Sequence, residues 1–273
     1  MYRLTSILLA GAVVFGIGAK SAYAQVGLGL APMRAELKMA PGAVYSGALD
    51  LTNEATVKVR VRTELLDFYI DRESTPQFNR EIPTEANSSC RKWLTVNPME
   101  GEVNAEGHLL ARYTIRVPAG VAPKSYNCAV GFTTLPAVDG ESGIGMRSAV
   151  RVVCAFYVVV GNPPMDGQVT GLSLEFVPLP TKSWRAVVTV ANNGDMYFRP
   201  EGKLDLLDES GKAVETLDVS PLPVLPRREQ RFVIPLTRVD SGRTYTMRTR
   251  LDLGTHEIQE AAAEIRAIEP PQK

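Results

Sequence analysis

Three short segments between Trp93 and Thr134 constrain the fold of this chain more than any other feature. They read WLTVNP, RYTIRVPAG and SYNCAVGFTT, and they begin at Trp93, Arg112 and Ser125. Each alternates apolar with polar residues, and Pro or Gly closes it, as is typical of successive antiparallel strands in a β-sandwich. Such a domain usually serves as a scaffold or a binding surface, so we expect function at its edges and loops.

Similar strand segments occur along the rest of the chain. In the first half they cover 27–37, 45–52, 56–67, 93–98, 112–120, 125–134 and 150–160, with a polar loop over 71–89. In the second half they cover 168–177, 184–191, 202–208, 213–218, 230–235, 243–252 and 255–265. A short helix over 260–264 is the alternative for the last segment. Arg60 and Arg62 share one face of 56–67, which fits either a solvated sheet face or a basic binding stripe.

The sequence Gly161-Asn162-Pro163-Pro164 separates the two sets of strands. Consecutive prolines hold the chain extended, which suits a boundary between domains. We therefore predict an all-β protein of two immunoglobulin-like β-sandwich domains joined by a short Pro-containing hinge. The predicted parts are a signal peptide at 1–24, the domains at 25–161 and 165–267, and a tail at 268–273.

The N-terminus has the pattern of a secretory signal peptide. Arg3 supplies a positive charge, residues 7–18 form an apolar core, and Ala22-Tyr23-Ala24 provides small residues for cleavage. The alternative, a membrane anchor, needs about 20 apolar residues, and this run is shorter and ends near Lys20. The sequence predicts a periplasmic or otherwise secreted protein with no membrane insertion after signal cleavage.

Composition and motifs give no support to catalysis. The 30 Lys and Arg residues balance 30 Asp and Glu, so we expect neither nucleic acid nor an anionic membrane as a partner. The sequence lacks the G-x-S-x-G, H-E-x-x-H and phosphate-loop motifs, and its two histidines, His108 and His256, fall in different predicted domains. We therefore expect no enzyme activity, no cofactor and no metal site.

Three cysteines lie in the first predicted domain, and an exported protein can form disulfides. A hairpin symmetric about Glu141 would place Cys128 opposite Cys154, which makes this pair the disulfide candidate and leaves Cys90 as the spare thiol. The alternative is three reduced cysteines that pack as small apolar side chains.

Two segments carry a resemblance to a known family. GLGLAPMRAEL at 27–37 resembles the first strand of the PapD-like periplasmic chaperones of pilus assembly, and Arg34 stands at that family's arginine position. RVVCAFY at 151–157 resembles the apolar last strand of the family's first domain. The resemblance implies an ATP-independent chaperone for pilin-like or other exported envelope subunits, with an outer-membrane usher as a possible further partner.

Client-binding residues follow from this resemblance. In that family the last strand of the first domain pairs with an incomplete subunit through backbone hydrogen bonds and alternate side chains. The corresponding residues here are Ile144, Met146, Val150 and Val152. The two valines fit equally well as part of their own domain core.

The family also holds the subunit's terminal carboxylate with an Arg and a Lys between the domains. Arg34 matches the Arg, which also fits a charge that protects an edge strand. Cys154 stands at the Lys position, and the nearest basic residue, Arg151, would face the other side of the strand. The carboxylate site is therefore an open point of the resemblance.

The segments WLTVNP, RYTIRVPAG and NNGDMYFRPEGKLDLLDESGK, the last at 192–212, also resemble generic Fn3 or immunoglobulin-like modules of bacterial envelope proteins. A structural or adhesive envelope protein built of such modules is therefore the alternative function.

Overall fold

The computed structural model describes residues 27–135, 149–178, 180, 182–255 and 257–270. In these residues the chain forms two immunoglobulin-like sandwiches, so the predicted all-β fold class is confirmed. The predicted signal peptide, His256 and the predicted client-binding residues Ile144 and Met146 lie outside the described residues.

The first sandwich is built from the strands of the first half of the chain. They are β1 Leu28–Ala31, β2 Arg34–Met39, β3 Val44–Asn53, β4 Val59–Ile70, β5 Pro76–Asn79, β6 Leu94–Asn97, β7 Glu100–Val103, β8 His108–Arg116, β9 Ser125–Leu135 and β10 Arg151–Val160. One sheet has the order β1-β3-β8-β6, and the other has the order β2-β10-β9-β4-β5, with β7 also paired to β4. The pairing of β2 with β10 is parallel.

The second sandwich has strands close to the predicted segments. They are β11 Gly167–Val177, β12 Ser183–Asn192, β13 Glu201–Leu207, β14 Ala213–Val219, β15 Glu229–Leu236, β16 Thr244–Asp252 and β17 Ile258–Arg266. Its sheets have the orders β11-β12-β15 and β14-β13-β16-β17. The last segment is thus a strand rather than a short helix, because it pairs with β16 along its whole length.

Alternating burial explains why these segments form a sandwich. Leu49 and Leu51 of β3 and Ile115 of β8 are fully buried between the two sheets of the first domain. Phe156 and Val158 of β10 meet them from the opposite sheet. Burial of one such side chain contributes about 1.5–3 kcal/mol, so the alternating apolar positions fix which face of each strand turns inward.

The first predicted strand, 27–37, is corrected by the structure. It consists of two strands that belong to different sheets, since β1 pairs with β3 and β2 pairs with β10. The chain passes from one sheet to the other at Pro32 and Met33. Proline lacks the N–H that a continuous ladder needs, which favours a break at this point.

The segment from Asp71 to Ser89, predicted above as a loop, contains a short strand and a 3₁₀ helix. Strand β5 pairs with β4, and a 3₁₀ helix covers Pro83–Ser88. A second 3₁₀ helix, Arg91–Trp93, leads into β6. Short elements of this kind leave no clear periodicity in the sequence.

The predicted disulfide is wrong, because Cys128 is bonded to Cys90 and Cys154 is a buried free thiol. In the hairpin of β9 and β10, Cys154 lies opposite Val130, and Cys128 lies opposite Phe156. The register therefore differs by two residues from a hairpin centred on Glu141, and the two cysteines are not a directly opposed pair. Cys90 approaches Cys128 from the segment before β6, at a Cα–Cα distance of 5.2 Å.

Among the described residues, no helix has the length and apolar character needed to cross a bilayer. The strands of the first sandwich end at Val160 and those of the second begin at Gly167. The domain limits given above remain a prediction.

The disulfide assignment leads to the first prediction. Non-reducing peptide mapping should link Cys90 to Cys128, and Cys154 should react with an alkylating reagent at pH 8 only after unfolding. Burial raises the pKa of the Cys154 thiol to about 12, so little thiolate is present in the folded state. The double variant Cys90→Ala/Cys128→Ala should lower the free energy of unfolding by about 2–4 kcal/mol, because the bond restricts the unfolded chain. Reduced wild-type protein is the control, and a bond between Cys128 and Cys154 would contradict the assignment.

Candidate functional site

Among the described residues, the outer edge of β10 is open at its N-terminal half. Val150 accepts a hydrogen bond from the Thr134 N–H, at 2.9 Å, so the even-numbered residues of β10 bond to β9. Arg151 and Val153 therefore direct their backbone N–H and C=O groups away from β9. In the described part of the chain no strand pairs with these groups, because β2 pairs only with Ala155–Val160. This open stretch, Arg151–Cys154, is called the β10 edge below.

The strand break at Pro32 explains why the β10 edge is open. Strand β2 starts at Arg34, opposite Ala155, and the Ala155 N–H donates to Met33 at 3.0 Å. Before Pro32 the chain belongs to the other sheet. An added strand would thus occupy the same position beside β10 that β2 occupies further along. Met33, with 64% of its surface exposed, lies at the junction.

Arg34, one of the predicted client-binding residues, is at this junction. Its side chain is 55% exposed, and its Nε lies 3.1 Å from Glu36 Oε1. Arg199, from the second domain, places its own Nε 3.1 Å from the same oxygen. The cluster of Arg34, Glu36 and Arg199 is called the cleft triad below, and its two guanidinium groups carry one more charge than its carboxylate.

Val150 lies just before β10 and Val152 lies within it, and both side chains are partly buried. Val150 donates its N–H to Thr134 Oγ1 at 3.0 Å, just before β10 begins. Val152 lies opposite Phe132 and packs against the core of the first domain. Cys154, at the family's Lys position, is fully buried in that core and supplies no positive charge.

The surface beside the β10 edge is charged. Glu64 accepts hydrogen bonds from Arg80 at 2.8 Å and from Thr133 at 3.0 Å. The hydrogen bond from Arg80 is the main reason that the pKa of Glu64 lies below its usual range. The aliphatic part of Arg151 covers Gly131, where an added Cβ would lie 3.5 Å from Arg151 Cδ and 2.9 Å from Leu66. Glycine at this position thus leaves room for Leu66, while Arg151 lies at an ordinary contact distance.

The two domains meet on the outer face of the sheet that contains β10. Tyr157 of β10 packs against Tyr197 of the second domain, with ring centroids 4.9 Å apart. Leu225 belongs to the same buried cluster. Ser125 donates its N–H to Asp195 at 2.8 Å, and its hydroxyl accepts the Tyr197 N–H at 2.9 Å. These contacts fix the second domain close to the cleft triad.

A second set of contacts joins the domains at the turn between β4 and β5. Glu73 in this turn pairs with Arg185 at 3.3 Å and with Arg231 at 3.5 Å, both from the second domain. Glu85, buried in the first domain, pairs with Arg228. Glu73 is mostly exposed, so its pairs contribute little, whereas loss of Arg228 would leave the buried Glu85 carboxylate without this partner, which is unfavourable. The pair of Glu85 with Arg228 therefore favours this arrangement of the domains.

Sequence reasoning missed Glu36 and Arg199. Glu36 follows a predicted site residue by two positions and so shares its face of β2, which was the available signal. Arg199 lies between β12 and β13 and has no pattern that relates it to the first domain. His108 lies 3.1 Å from Asp50 on an exposed surface of the first sandwich. No group of three or more potential metal ligands occurs within the described ranges.

No protein-family model matches the chain, and no curated protein matches it. Solved structures of fimbrial chaperones match most of it. A chain of a chaperone–tip adhesin complex of CFA/I fimbriae biogenesis is 13% identical over 88% of this chain and 98% of its own, with a TM-score of 0.46. A chain of the CsuC–CsuE chaperone–tip subunit complex of Acinetobacter baumannii is 12% identical over 89% of this chain and 100% of its own, with a TM-score of 0.45.

A chain of the Salmonella enterica complex between SafA pilin and the SafB chaperone is 13% identical over 88% of this chain and 97% of its own, with a TM-score of 0.44. The predicted resemblance to PapD-like chaperones is thus confirmed as a likeness to solved fimbrial chaperones over most of the chain. At these identities and TM-scores, function has to be argued from the residues of this chain.

The contact between the domains can be tested at Tyr197. Tyr197→Ala should lower the free energy of unfolding by about 3 kcal/mol and increase the radius of gyration, because the cavity lies between the domains. Chemical denaturation and small-angle X-ray scattering measure the two effects. Tyr245→Ala is the control, since Tyr245 is buried within the second domain alone. It should reduce stability without a change in dimensions, and equal dimensions for all three proteins would contradict the prediction.

Proposed function

We propose that this chain is a non-enzymatic, ATP-independent chaperone of the periplasm that binds exported, pilin-like subunits by β-strand addition. The observation that supports this function best is the open β10 edge, where Arg151 and Val153 direct their backbone groups outward. A strand of a client would pair with these groups and extend the sheet. Pilus assembly is the process in which such a chaperone takes part.

The length of the edge limits how strongly it binds a client. Arg151 and Val153 offer two donors and two acceptors, and each hydrogen bond contributes a net of about 0.5–1.5 kcal/mol. Four such bonds are too few for a stable complex once the loss of translational freedom is counted. The client strand therefore has to extend upstream, along the segment that contains Ile144 and Met146. Those two side chains would fill an apolar groove in the client.

Charge at the end of the edge indicates the direction of the client strand. A strand that runs parallel to β10 ends at Arg34 with its carboxyl terminus, whereas an antiparallel strand would bring an ammonium group there. Two guanidinium groups of the cleft triad favour the carboxylate. We therefore expect a parallel arrangement in which the terminal carboxylate of a subunit lies near Arg34.

An outer-membrane usher that accepts the subunit from the chaperone is a further expected partner. The alternative function is a structural or adhesive envelope protein that uses the same two sandwiches as fixed modules. Such a protein needs no client and no free edge at β10. Recovery of a pilin-like subunit with this chain distinguishes the two functions.

Backbone pairing at the β10 edge is tested with Val153→Pro. Proline removes the outward N–H of Val153 without loss of a bond to β9, so it should abolish recovery of a pilin-like subunit from periplasmic extract. Val153→Ala is the control, because it removes both γ-methyl groups of Val153 and keeps the N–H. Pull-down followed by mass spectrometry measures recovery. Equal recovery with both variants would place the client site elsewhere.

The upstream segment is tested with Ile144→Asp/Met146→Asp. Two carboxylates in an apolar groove are strongly unfavourable, so this variant should lose the subunit that wild-type protein recovers in the same pull-down. Ile144→Leu/Met146→Leu should retain it, because size and apolar character are preserved. Loss with the leucine variant as well would indicate that these side chains do not enter an adaptable apolar groove. Recovery of no subunit by wild-type protein would favour the envelope module.

A further inference from the structure

The two arginines of the cleft triad are held very differently. Arg199 donates from Nη1 to the Pro221 carbonyl at 3.0 Å, and its guanidinium lies 4.8 Å from the centre of the Tyr157 ring. Only 16% of its side chain is exposed. Arg34 is mostly exposed, and in the described part of the chain its ion pair is with Glu36. Arg199 is therefore a fixed cation, and Arg34 can adjust its position.

Glu36 occupies the point between these two cations. Both Nε atoms lie 3.1 Å from its Oε1, which is the arrangement that a separate carboxylate would adopt there. Glu36 is itself 41% exposed. Its pair with Arg34 is exposed on both sides and contributes at most about 1 kcal/mol, so Glu36 is held mainly by Arg199, a cation that a second carboxylate can also reach.

The position of the triad suits a carboxylate that arrives with a strand. Arg34 lies where the β10 edge meets the start of β2, so a strand added parallel to β10 ends beside it. Its backbone hydrogen bonds would hold the terminal carboxylate near the two guanidinium groups. A carboxylate held in this way competes well with a flexible Glu side chain.

We propose that Arg199 is the second cation of the client-carboxylate site and that Glu36 is an internal competitor for it. In the free protein Glu36 occupies the site, and in the complex the terminal carboxylate of the client strand replaces it between Arg34 and Arg199. The exchange also breaks the contact between Glu36 and Arg199, which links the two domains. This inference rests on the strand addition proposed above.

Two synthetic peptides test the exchange. One is the eight-residue peptide N-acetyl-(Thr-Val)4 with a free carboxyl end, which is long enough to extend upstream of the β10 edge, and the other is the same peptide with an amide end. Their dissociation constants are measured by NMR titration of the folded protein. Wild-type protein should prefer the carboxylate peptide. Glu36→Gln should bind that peptide about two- to five-fold more tightly, which corresponds to the loss of one exposed ion-pair competitor, and should bind the amide peptide unchanged.

Two further variants complete the test. Arg199→Met keeps an unbranched apolar stem beside Tyr157 but removes the charge, and it should reduce the preference for the carboxylate peptide. Glu100→Gln is the control, since Glu100 forms an equally exposed pair with Arg62 at 2.8 Å away from the triad. It should change neither affinity. Unchanged or weaker binding of the carboxylate peptide by Glu36→Gln would overturn the role of Glu36, and an undiminished preference in Arg199→Met would overturn that of Arg199.

The outcome also separates this inference from the function on which it rests. Equal binding of both peptides by wild-type protein, with both abolished by Val153→Pro, would retain strand addition and overturn the carboxylate site. Binding of neither peptide by any variant would overturn both.

Discussion

The C-terminal half of strand β10 is buried on both faces, and the rest of the structure depends on this. Phe156 and Val158 pack into the core of the first domain, while Tyr157 and Val159 lie in the cluster that contains Tyr197 and Leu225 of the second. This explains why β10 is nearly continuously apolar, as is expected of a strand with two covered faces. Because its C-terminal half is covered on both faces and paired with β2, β10 offers free backbone groups only along Arg151–Cys154 within the described residues.

An open edge is a hazard as well as a site, because its backbone groups can pair with any exposed strand. Here β2 covers the C-terminal half of β10, and charged side chains surround the rest. Arg151 lies beside the edge, and Arg34 stands at its end. These charges disfavour an additional strand that carries bulky apolar groups on that face or an ammonium group at that end. The features that protect the edge thus also select what can bind to it.

Most of the fold could be predicted because burial alternates in phase with the sequence, as in β3 and β8. The predicted disulfide failed because the residue numbers of each β9–β10 pair average 142 rather than 141. This difference of one in the average changes the residue opposite Cys154 by two positions, from Cys128 to Val130. The candidate site could be predicted only in part. Arg34 was chosen through its family position, whereas Arg199 reaches the same cluster only through packing between the domains, which leaves no local pattern in the sequence.

The unequal anchoring within the cleft triad decides which part of it can move. Arg199 is held by a carbonyl, an aromatic ring and burial, so its displacement would break several contacts at once. Glu36 has only two charge pairs in the triad, and its pair with Arg34 is exposed on both sides and therefore weak in water. An arriving anion would therefore exchange with Glu36 rather than displace Arg199. The second domain thus contributes a fixed positive charge, which the first domain lacks at Cys154, and its packing on β10 keeps that charge at the end of the open edge.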